Sequence, residues 1–261
     1  MRCQHLSERG APVQVRAVPR IDGALLFEPA PHVDERGFFC RTFDAEVVRG
    51  TGIDPAGFVQ HSLSRSVRGV VRGLHVRRGA GEAKLVRCSY GAIFDVVVDL
   101  RLDSTTYLNW ESFELRDTEQ VSLYVPAGCA HGFQARTEPA DVVYRIDRAH
   151  DPAEDISIAF DDPELAIPWP LPVTRMSPRD RAAPSLAAAL QLMKQRSDRA
   201  IQLSAYGLVW LDAYAETIPR CAVTRGEQMK KYSTANLRLM TGILTFKYIF
   251  AALRIFRFGS E

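Results

Sequence analysis

The sequence predicts a mainly β domain, built as an antiparallel sandwich or barrel and followed by a helical extension. Between residues 21 and 186, short apolar runs recur with Gly, Pro, Asp or Asn between them, and no long helical pattern separates them. After residue 186 the residue pattern becomes typical of helices, and the segment is more basic. With 261 residues and 46% hydrophobic composition, the chain can bury one substantial core.

The predicted strands are short and follow one another closely. Residues 93–99 are nearly all apolar, which indicates a central strand covered on both faces. Residues 38–43 follow a Glu-Arg-Gly turn, so we expect a second strand of a hairpin there. In chain order, the predicted strands are residues 25–27, 38–43, 70–71, 84–88, 92–100, 107–115, 121–125, 132–136 and 142–147.

Three segments are predicted along the chain. Residues 1–20 are expected to form a loose N-terminal arm, residues 21–186 the β domain, and residues 187–261 a C-terminal helical extension of unknown role. Ser185 is a plausible N-cap for the first helix of this extension. From residue 190 onward, 11 Lys and Arg stand against 5 Asp and Glu, whereas the remainder has 22 against 26. The two parts therefore differ in chemistry.

Residues 237–258 are strongly apolar and contain Lys247 and Arg254, which share one face of a helix. Three arrangements are open for this tail: packing on the barrel or a partner chain, contact with an anionic membrane surface, or disorder. Packing is favoured over membrane-surface contact because most apolar helical faces in soluble chains are core. A conventional membrane span is not predicted, because no apolar run reaches the required length of about 18 residues.

The cysteine pattern favours a cytoplasmic protein. The five cysteines are scattered and form no Cys-x-x-Cys pair, as is typical of reduced thiols rather than disulfides or a zinc site. The N-terminus lacks the uninterrupted apolar region of a secretory signal. The net charge of +2 does not by itself argue for or against nucleic acid, and no nucleic-acid partner is predicted.

Two histidines and a lysine stand on successive predicted strands. His75 ends the motif Arg-Gly-Leu-His, Lys84 lies in Ala-Lys-Leu-Val-Arg, and His131 lies in Ala-His-Gly-Phe. An imidazole can take a carbon-bound proton near neutral pH, and an ammonium can hold the enolate oxygen that then forms. A lone histidine is more often a core residue, and a strand lysine is as often solvated. The combination favours chemistry at a carbon next to a ketone.

These motifs, in this order, resemble the dTDP-4-dehydrorhamnose 3,5-epimerase family. The resemblance runs from about Leu25 to Pro184 and includes Asp-Glu-Arg-Gly-Phe-Phe at residues 34–39 and Trp169-Pro170. Each motif alone would be weak, but several in one order are specific. The resemblance implies a double-stranded β-helix, the jelly-roll cupin fold, which agrees with the predicted strands. Residues 21–186 would then be a cupin epimerase domain.

The resemblance also assigns catalytic roles. It makes His75 the general base, Asp180 the carboxylate that orients it, Lys84 the group that stabilises the enolate, and Tyr144 the acid on the opposite sugar face. From residue type alone, Asp180 would be a loop aspartate or helix cap, and Tyr144 a half-buried strand residue. Epimerisation needs a proton delivered to the face opposite the one it left, which a base and a phenol on opposite sides provide.

Further positions match substrate contacts in the family. The arginines are expected near the diphosphate, because a guanidinium fits phosphate oxygens in two-point contact. For Phe39, stacking on the base and a place in the core are both open, and the core is favoured. The predicted substrate-binding residues are Arg36, Arg72, Gln60, His131, Phe39 and Ser62.

No catalytic metal and no redox cofactor are predicted. Metal-binding cupins place two histidines one residue apart, but Val76 and Arg77 follow His75. A C4 ketone already acidifies both neighbouring carbons, so proton transfer needs no cofactor. The chain departs from the family pattern at Arg41, Ser62, Val76-Arg77 and His150, positions near the substrate.

The sequence therefore predicts a cytoplasmic epimerase, and the family resemblance implies that it is a homodimer. Its substrate would be a nucleotide-linked 4-keto-6-deoxyhexose, with dTDP as the expected nucleotide, and it would invert C3, C5 or both in deoxysugar or rhamnose biosynthesis. Two alternatives remain: a mono-epimerase for an unusual deoxysugar of a secondary-metabolite or surface-glycan pathway, and a sugar-nucleotide-binding cupin without turnover. Solvent deuterium incorporated at each carbon separates the three.

Overall fold

A computed structural model describes residues 13–193, and within this range the chain is mainly β. Residues 1–12 of the predicted arm and residues 194–261 of the predicted extension, with the apolar segment 237–258, lie outside the described range. The strands are β1 Val13–Ala17, β2 Leu25–Pro29, β3 His32–Asp34, β4 Gly37–Phe39, β5 Gln60–Ser66, β6 Val71–Arg77, β7 Lys84–Tyr90, β8 Ala92–Asp99, β9 Trp110–Arg116, β10 Ser122–Val125, β11 Cys129–Ala135, β12 Ala140–Ile146 and β13 Asp155–Ser157. The helices are α1 Ala45–Gly50, α2 Pro178–Arg181 and α3, residues 186–193, with a short 3-10 turn at Pro55–Gly57.

The strands form two antiparallel sheets and a separate hairpin. Sheet I has the order β1-β2-β10-β7-β12-β5, and sheet II has the order β13-β6-β11-β8-β9. Strands β3 and β4 pair only with each other among the described residues. From β5 to β12, consecutive strands alternate between the two sheets, except that β8 and β9 follow each other in sheet II. This is the connectivity of a jelly roll. The predicted mainly β jelly-roll fold is confirmed.

The main core lies between the two sheets. Strand β8 contributes Ile93 and Val97 to it, and Phe133 of the neighbouring β11 is almost fully buried beside them. From the opposite sheet, Val86 and Leu123 close the core. Val96 and Val98 of β8 face the other side of sheet II and are also buried. The predicted central strand is therefore confirmed, since both of its faces are covered.

The outer face of sheet II is covered by the segment that follows β13. Leu186 and Ala189 of α3 are buried in the apolar cluster on that face. Ser185 caps α3, with its Oγ 3.4 Å from the backbone N of Ala188, so the predicted cap and helix start are confirmed. Trp169 packs on the same cluster and donates from Nε1 to the carbonyl oxygen of Phe160 at 2.7 Å. This packing also fixes the segment that contains α2.

Several elements differ from the sequence predictions. Part of the arm predicted to be loose, Val13–Ala17, forms β1 and pairs with β2 along its whole length. The strand predicted at 38–43 ends at Phe39, and β13 has only three residues, too few to give a pattern. Strand β5 was missed because its inward face is polar, opposite to the usual alternation. No helix within residues 13–193 is long and apolar enough to cross a membrane.

Candidate active site

Two histidines face each other on neighbouring strands of sheet II. His75 of β6 and His131 of β11 are directly opposed in the antiparallel register, so their side chains point to the same side of the sheet. His131 is buried, whereas the side chain of His75 is 38% exposed. The interior of the barrel therefore holds one histidine within reach of a ligand and a second one behind it.

His75 is bound by a carboxylate that lies far away in the sequence. Its Nε2 lies 2.6 Å from Oδ1 of Asp180, which is buried on α2. Ser177 caps this short helix and accepts a hydrogen bond from the backbone N–H of Asp180. Burial alone would raise the pKa of Asp180, but the hydrogen bonds from His75, Ser177 and the backbone of Gly73 outweigh it and hold that pKa below its usual value. The carboxylate is thus ionised and accepts a hydrogen bond from the Nε2–H of His75. This tautomer leaves Nδ1 of His75 as the basic atom.

A second histidine–aspartate pair lies behind the first and was missed by the sequence analysis. Nε2 of His131 lies 2.8 Å from Oδ2 of Asp95, and both side chains are almost fully buried. Asp95 is two positions from the register partner of His131 on β8, so it shares the inward face. Burial raises the pKa of Asp95, and the charges of His131 and Lys84 act against that rise. The signal was an aspartate inside an otherwise apolar strand, since such a residue needs a partner.

Lys84 and Tyr144 approach the same space from sheet I. Lys84 begins β7, is buried, and its Nζ lies 3.0 Å from Oε1 of Glu82. Tyr144 of β12 packs edge-to-face on His131, with 6.3 Å between ring centroids. Its hydroxyl lies 3.4 Å from Oγ of Ser64. Burial raises the pKa of Tyr144, so the phenol stays protonated at neutral pH and can act as an acid.

The inward face of β5 forms a polar wall beside Tyr144. Ser62 is the register partner of Tyr144, and Gln60 donates to Oγ of Ser62 at 3.0 Å. At the other end of β5, Ser66 accepts a hydrogen bond from Nε of Arg72 at 2.9 Å. A row of amide, hydroxyl and guanidinium groups along one side of the barrel suits a polar ligand.

Two predicted substrate-binding residues, Arg36 and Phe39, lie on the β3–β4 hairpin and not in the barrel interior. Arg36 pairs with Asp34 at 2.5 Å within the hairpin, and Phe39 is 73% exposed. The favoured alternative for Phe39, a place in the core, is therefore wrong, because β4 pairs with β3 and not with either sheet. The other predicted site residues lie in or beside the barrel interior, whereas Arg36 and Phe39 stand on an exposed hairpin.

No group of three or more His, Cys, Asp or Glu side chains that could hold a metal ion occurs within residues 13–193. Each of the two interior histidines pairs with its own aspartate instead. The absence of a catalytic metal stays a prediction.

The two histidines depend on a close approach of β6 and β11 at Gly73. Its φ is +118°, and a Cβ at this position would lie 2.7 Å from Cα of Gly132 and 2.8 Å from the carbonyl oxygen of His131. We expect Gly73→Ala to lower the free energy of unfolding by at least about 2 kcal/mol, because both the backbone conformation and the contact become strained. Displacement of the histidines should also lower activity by about tenfold or more. Gly57→Ala, where a Cβ meets nothing within 4 Å, is the control. Equal stability of the two variants would contradict this account.

The stability contributed by Asp180 should depend on pH. Its pKa in the folded protein lies below the ordinary value of about 3.9, so the ionised carboxylate stabilises the fold above that pH. The contribution disappears as the pH falls through the folded-state pKa. We expect Asp180→Asn to be destabilising near neutral pH and to approach wild type as the pH falls from about 3.9 through the lower folded-state pKa, as measured by urea unfolding. A difference that does not change with pH would contradict an ionised, hydrogen-bonded carboxylate at Asp180.

Comparison with known proteins gives one consistent result. The family model described as dTDP-4-dehydrorhamnose 3,5-epimerase matches residues 19–188. The chain is 43% identical over 151 residues to the dTDP-4-dehydrorhamnose 3,5-epimerase of Methanothermobacter thermautotrophicus, which covers 58% of this chain and 81% of the relative. It is 41% identical over 170 residues to a dTDP-4-dehydrorhamnose 3-epimerase of Streptomyces niveus, covering 65% and 82%. A crystal structure of a dTDP-6-deoxy-D-glucose-3,5-epimerase from Legionella pneumophila, in complex with dTDP-4-keto-L-rhamnose, superposes with a TM-score of 0.64 at 36% identity, covering 70% of this chain and 96% of that one.

Proposed function

The chain belongs to the dTDP-4-dehydrorhamnose 3,5-epimerase family, and we propose that this epimerase inverts C3, C5 or both of a dTDP-linked 4-keto-6-deoxyhexose. One observation carries the proposal: His75 of sheet II, paired with Asp180 of α2, and the protonated phenol of Tyr144 on sheet I face the same interior. That arrangement supports removal of a proton from one face of a sugar and delivery of a proton to the opposite face.

The proposed reaction follows from the positions of these groups. Nδ1 of His75 takes the proton from the carbon beside the C4 ketone, while Asp180 holds the imidazole through Nε2. The electron pair of the broken C–H bond forms a double bond to C4, and the π pair of the C4 carbonyl moves to its oxygen. Lys84 stabilises the negative charge on this enolate oxygen. The enolate carbon then takes the hydroxyl proton of Tyr144. Exchange of both side chains with solvent restores the phenol and the neutral imidazole.

The polar wall of β5 is proposed to hold the sugar and the nucleotide. Gln60 and Ser62 lie beside Tyr144, and Arg72 lies at the end of β5. A guanidinium at that end suits the diphosphate. His131 would support the sugar oxygen together with Lys84. The complex reported for the Legionella relative supports a dTDP-sugar ligand of this kind.

The function is tested by incubating the purified protein with 4-keto-6-deoxyglucose linked to dTDP, UDP or GDP and following the configuration of the sugar by NMR. We expect the dTDP compound to be converted to epimers, with slower conversion of the others. No change in any of the three sugars would overturn the proposed function.

The choice of carbon is a second question. The chain is 41% identical to a 3-epimerase and 43% identical to a 3,5-epimerase, so overall similarity does not favour either. Two of the departures from the family pattern lie next to each other, with Nη2 of Arg77 at 3.4 Å from Nδ1 of His150. They support keeping the mono-epimerase as a candidate. Replacement of Arg77 should therefore be scored for the ratio of C3 to C5 exchange.

The exposed hairpin supports a homodimer. Val33, Phe38 and Phe39 are 78%, 54% and 73% exposed, and Leu63 on the outer side of edge strand β5 is exposed as well. Exposed apolar groups of this density are a mark of protein interfaces. We propose that the hairpin of one chain packs on a second chain, where Arg36 and Phe39 would reach the nucleotide.

We expect a dimer mass in light scattering at micromolar concentration. The double variant Phe38→Asp/Phe39→Asp should give monomers that bind dTDP more weakly. A wild-type monomer at that concentration would contradict the dimer, and a dimeric variant with unchanged dTDP affinity would contradict the role of the hairpin.

A further inference from the structure

Three charged side chains form a buried network of ion pairs that ends at Lys84. Nη1 of Arg77 lies 3.0 Å from Oε2 of Glu82, and the other carboxylate oxygen, Oε1, lies 3.0 Å from Nζ of Lys84. The side chains of Arg77, Glu82 and Lys84 are 3%, 11% and 10% exposed. Glu82 thus shares one carboxylate between two buried cations.

At the other end of this network, Arg77 is held by a backbone carbonyl and by a carboxylate of β13. Nη1 of Arg77 donates to the carbonyl oxygen of Ala149 at 2.7 Å, and Nε lies 3.6 Å from Oδ1 of Asp155. Asp155 is the register partner of Arg77 and also pairs with Arg179. These contacts hold the guanidinium of Arg77 independently of Glu82, so Arg77 is the anchor of the network.

We propose that Glu82, anchored by Arg77, is a positioning residue that holds the Lys84 ammonium against the enolate oxygen, an inference that rests on the proposed function. An ammonium has three N–H donors, so contact with one carboxylate oxygen leaves donors for a substrate. A lysine without such a contact would lose its fixed direction, and a misplacement of about 1 Å can cost about a hundredfold in rate.

Because Glu82 pairs with both Arg77 and Lys84, its carboxylate binds the Lys84 ammonium less strongly than it would alone. A carboxylate paired with Lys84 alone would compete with the enolate for the ammonium. The guanidinium of Arg77 compensates part of the negative charge of Glu82, and the same contact keeps the carboxylate in place. Arg77 is one of the positions at which the chain departs from the family pattern, and the epimerase chemistry itself does not use it.

A double-mutant cycle tests whether Glu82 acts through Lys84. In D2O, we expect Glu82→Gln to lower kcat for deuterium exchange into the 4-keto sugar about ten- to a hundredfold, with KM and the Kd of dTDP changed less than about twofold. In a Lys84→Gln background, the same change should lower exchange by less than about twofold, because the group it positions is gone. An equal loss in both backgrounds would overturn the proposal and indicate a general structural role.

A second variant and a control keep the test independent of folding. Arg77→Gln/Glu82→Gln removes the ion pair without leaving Arg77 unpaired, so it should fold and still show the loss in kcat. Arg101→Gln breaks a pair with the fully buried Asp99 at the far end of β8, at 2.8 Å, and should lower stability but not kcat. A double variant with wild-type kcat would overturn the inference alone. A wild type that exchanges no sugar proton would overturn the proposed function and the inference with it.

Discussion

Replacing His75 with alanine is expected to lower the rate of proton exchange at the sugar carbon by about a hundred- to ten-thousandfold, the usual contribution of a general base. The reason is that Nδ1 of His75 is the basic atom left free by the pair with Asp180. The measurement is deuterium incorporation into the 4-keto sugar in D2O. Binding of dTDP should stay within about twofold of wild type, because the proposed nucleotide contacts lie on β5 and at Arg72.

Two comparisons make this result specific. His61 lies on β5 but on the outward face, so His61→Ala should leave exchange near the wild-type rate. His75→Ala protein should also unfold as a cooperative unit, since His75 is only half-buried. If His75→Ala kept half of the wild-type exchange rate, another group would have to be the base.

The second large effect is expected from Tyr144→Phe, which should separate exchange from inversion. His75 can still remove a proton and return a deuteron on its own face, so exchange should continue at about the wild-type rate. Formation of the inverted product should fall by about a hundredfold or more, because no acid remains on the opposite face. NMR of the same sample reports both quantities.

The control for this variant is Tyr124→Phe. Tyr124 lies on β10 of the same sheet, but packs in the cluster on the outer face of sheet I, away from the interior. It should show wild-type exchange and inversion. An equal loss of exchange and inversion in Tyr144→Phe would instead assign Tyr144 to substrate positioning.

Strands with apolar residues on one or both faces were predicted from the sequence. The strand that lines the site with polar residues was missed. Strand β8 was recognisable because both of its faces meet apolar layers. Strand β5 was not, because its inward residues, such as Gln60 and Ser62, line the site rather than the core. A strand whose buried face is polar looks like a loop in a single sequence, and that reversal is itself a consequence of function.

The site was predictable only as far as the family motifs reached. His75, Lys84 and Tyr144 were singled out in this way, and the structure brings them to one interior. The partners Asp95 and Glu82 carry no motif, because their relation to His131 and Lys84 arises from strand register and loop geometry. The place of Arg36 and Phe39 on an exposed hairpin could not be foreseen either, since it depends on which strands β3 and β4 pair with.

The most direct test of the central claim is the count of solvent deuterium at C3 and C5 of a dTDP-linked 4-keto-6-deoxyhexose after incubation with the wild-type protein in D2O. Removal of a proton by His75 and reprotonation by Tyr144 predict inversion at C3, at C5 or at both, with solvent deuterium at each inverted carbon. A sugar recovered with inverted configuration but no deuterium would contradict proton transfer through solvent-exchanging side chains. A sugar bound tightly but recovered without label or inversion would show that the barrel binds its ligand without turnover.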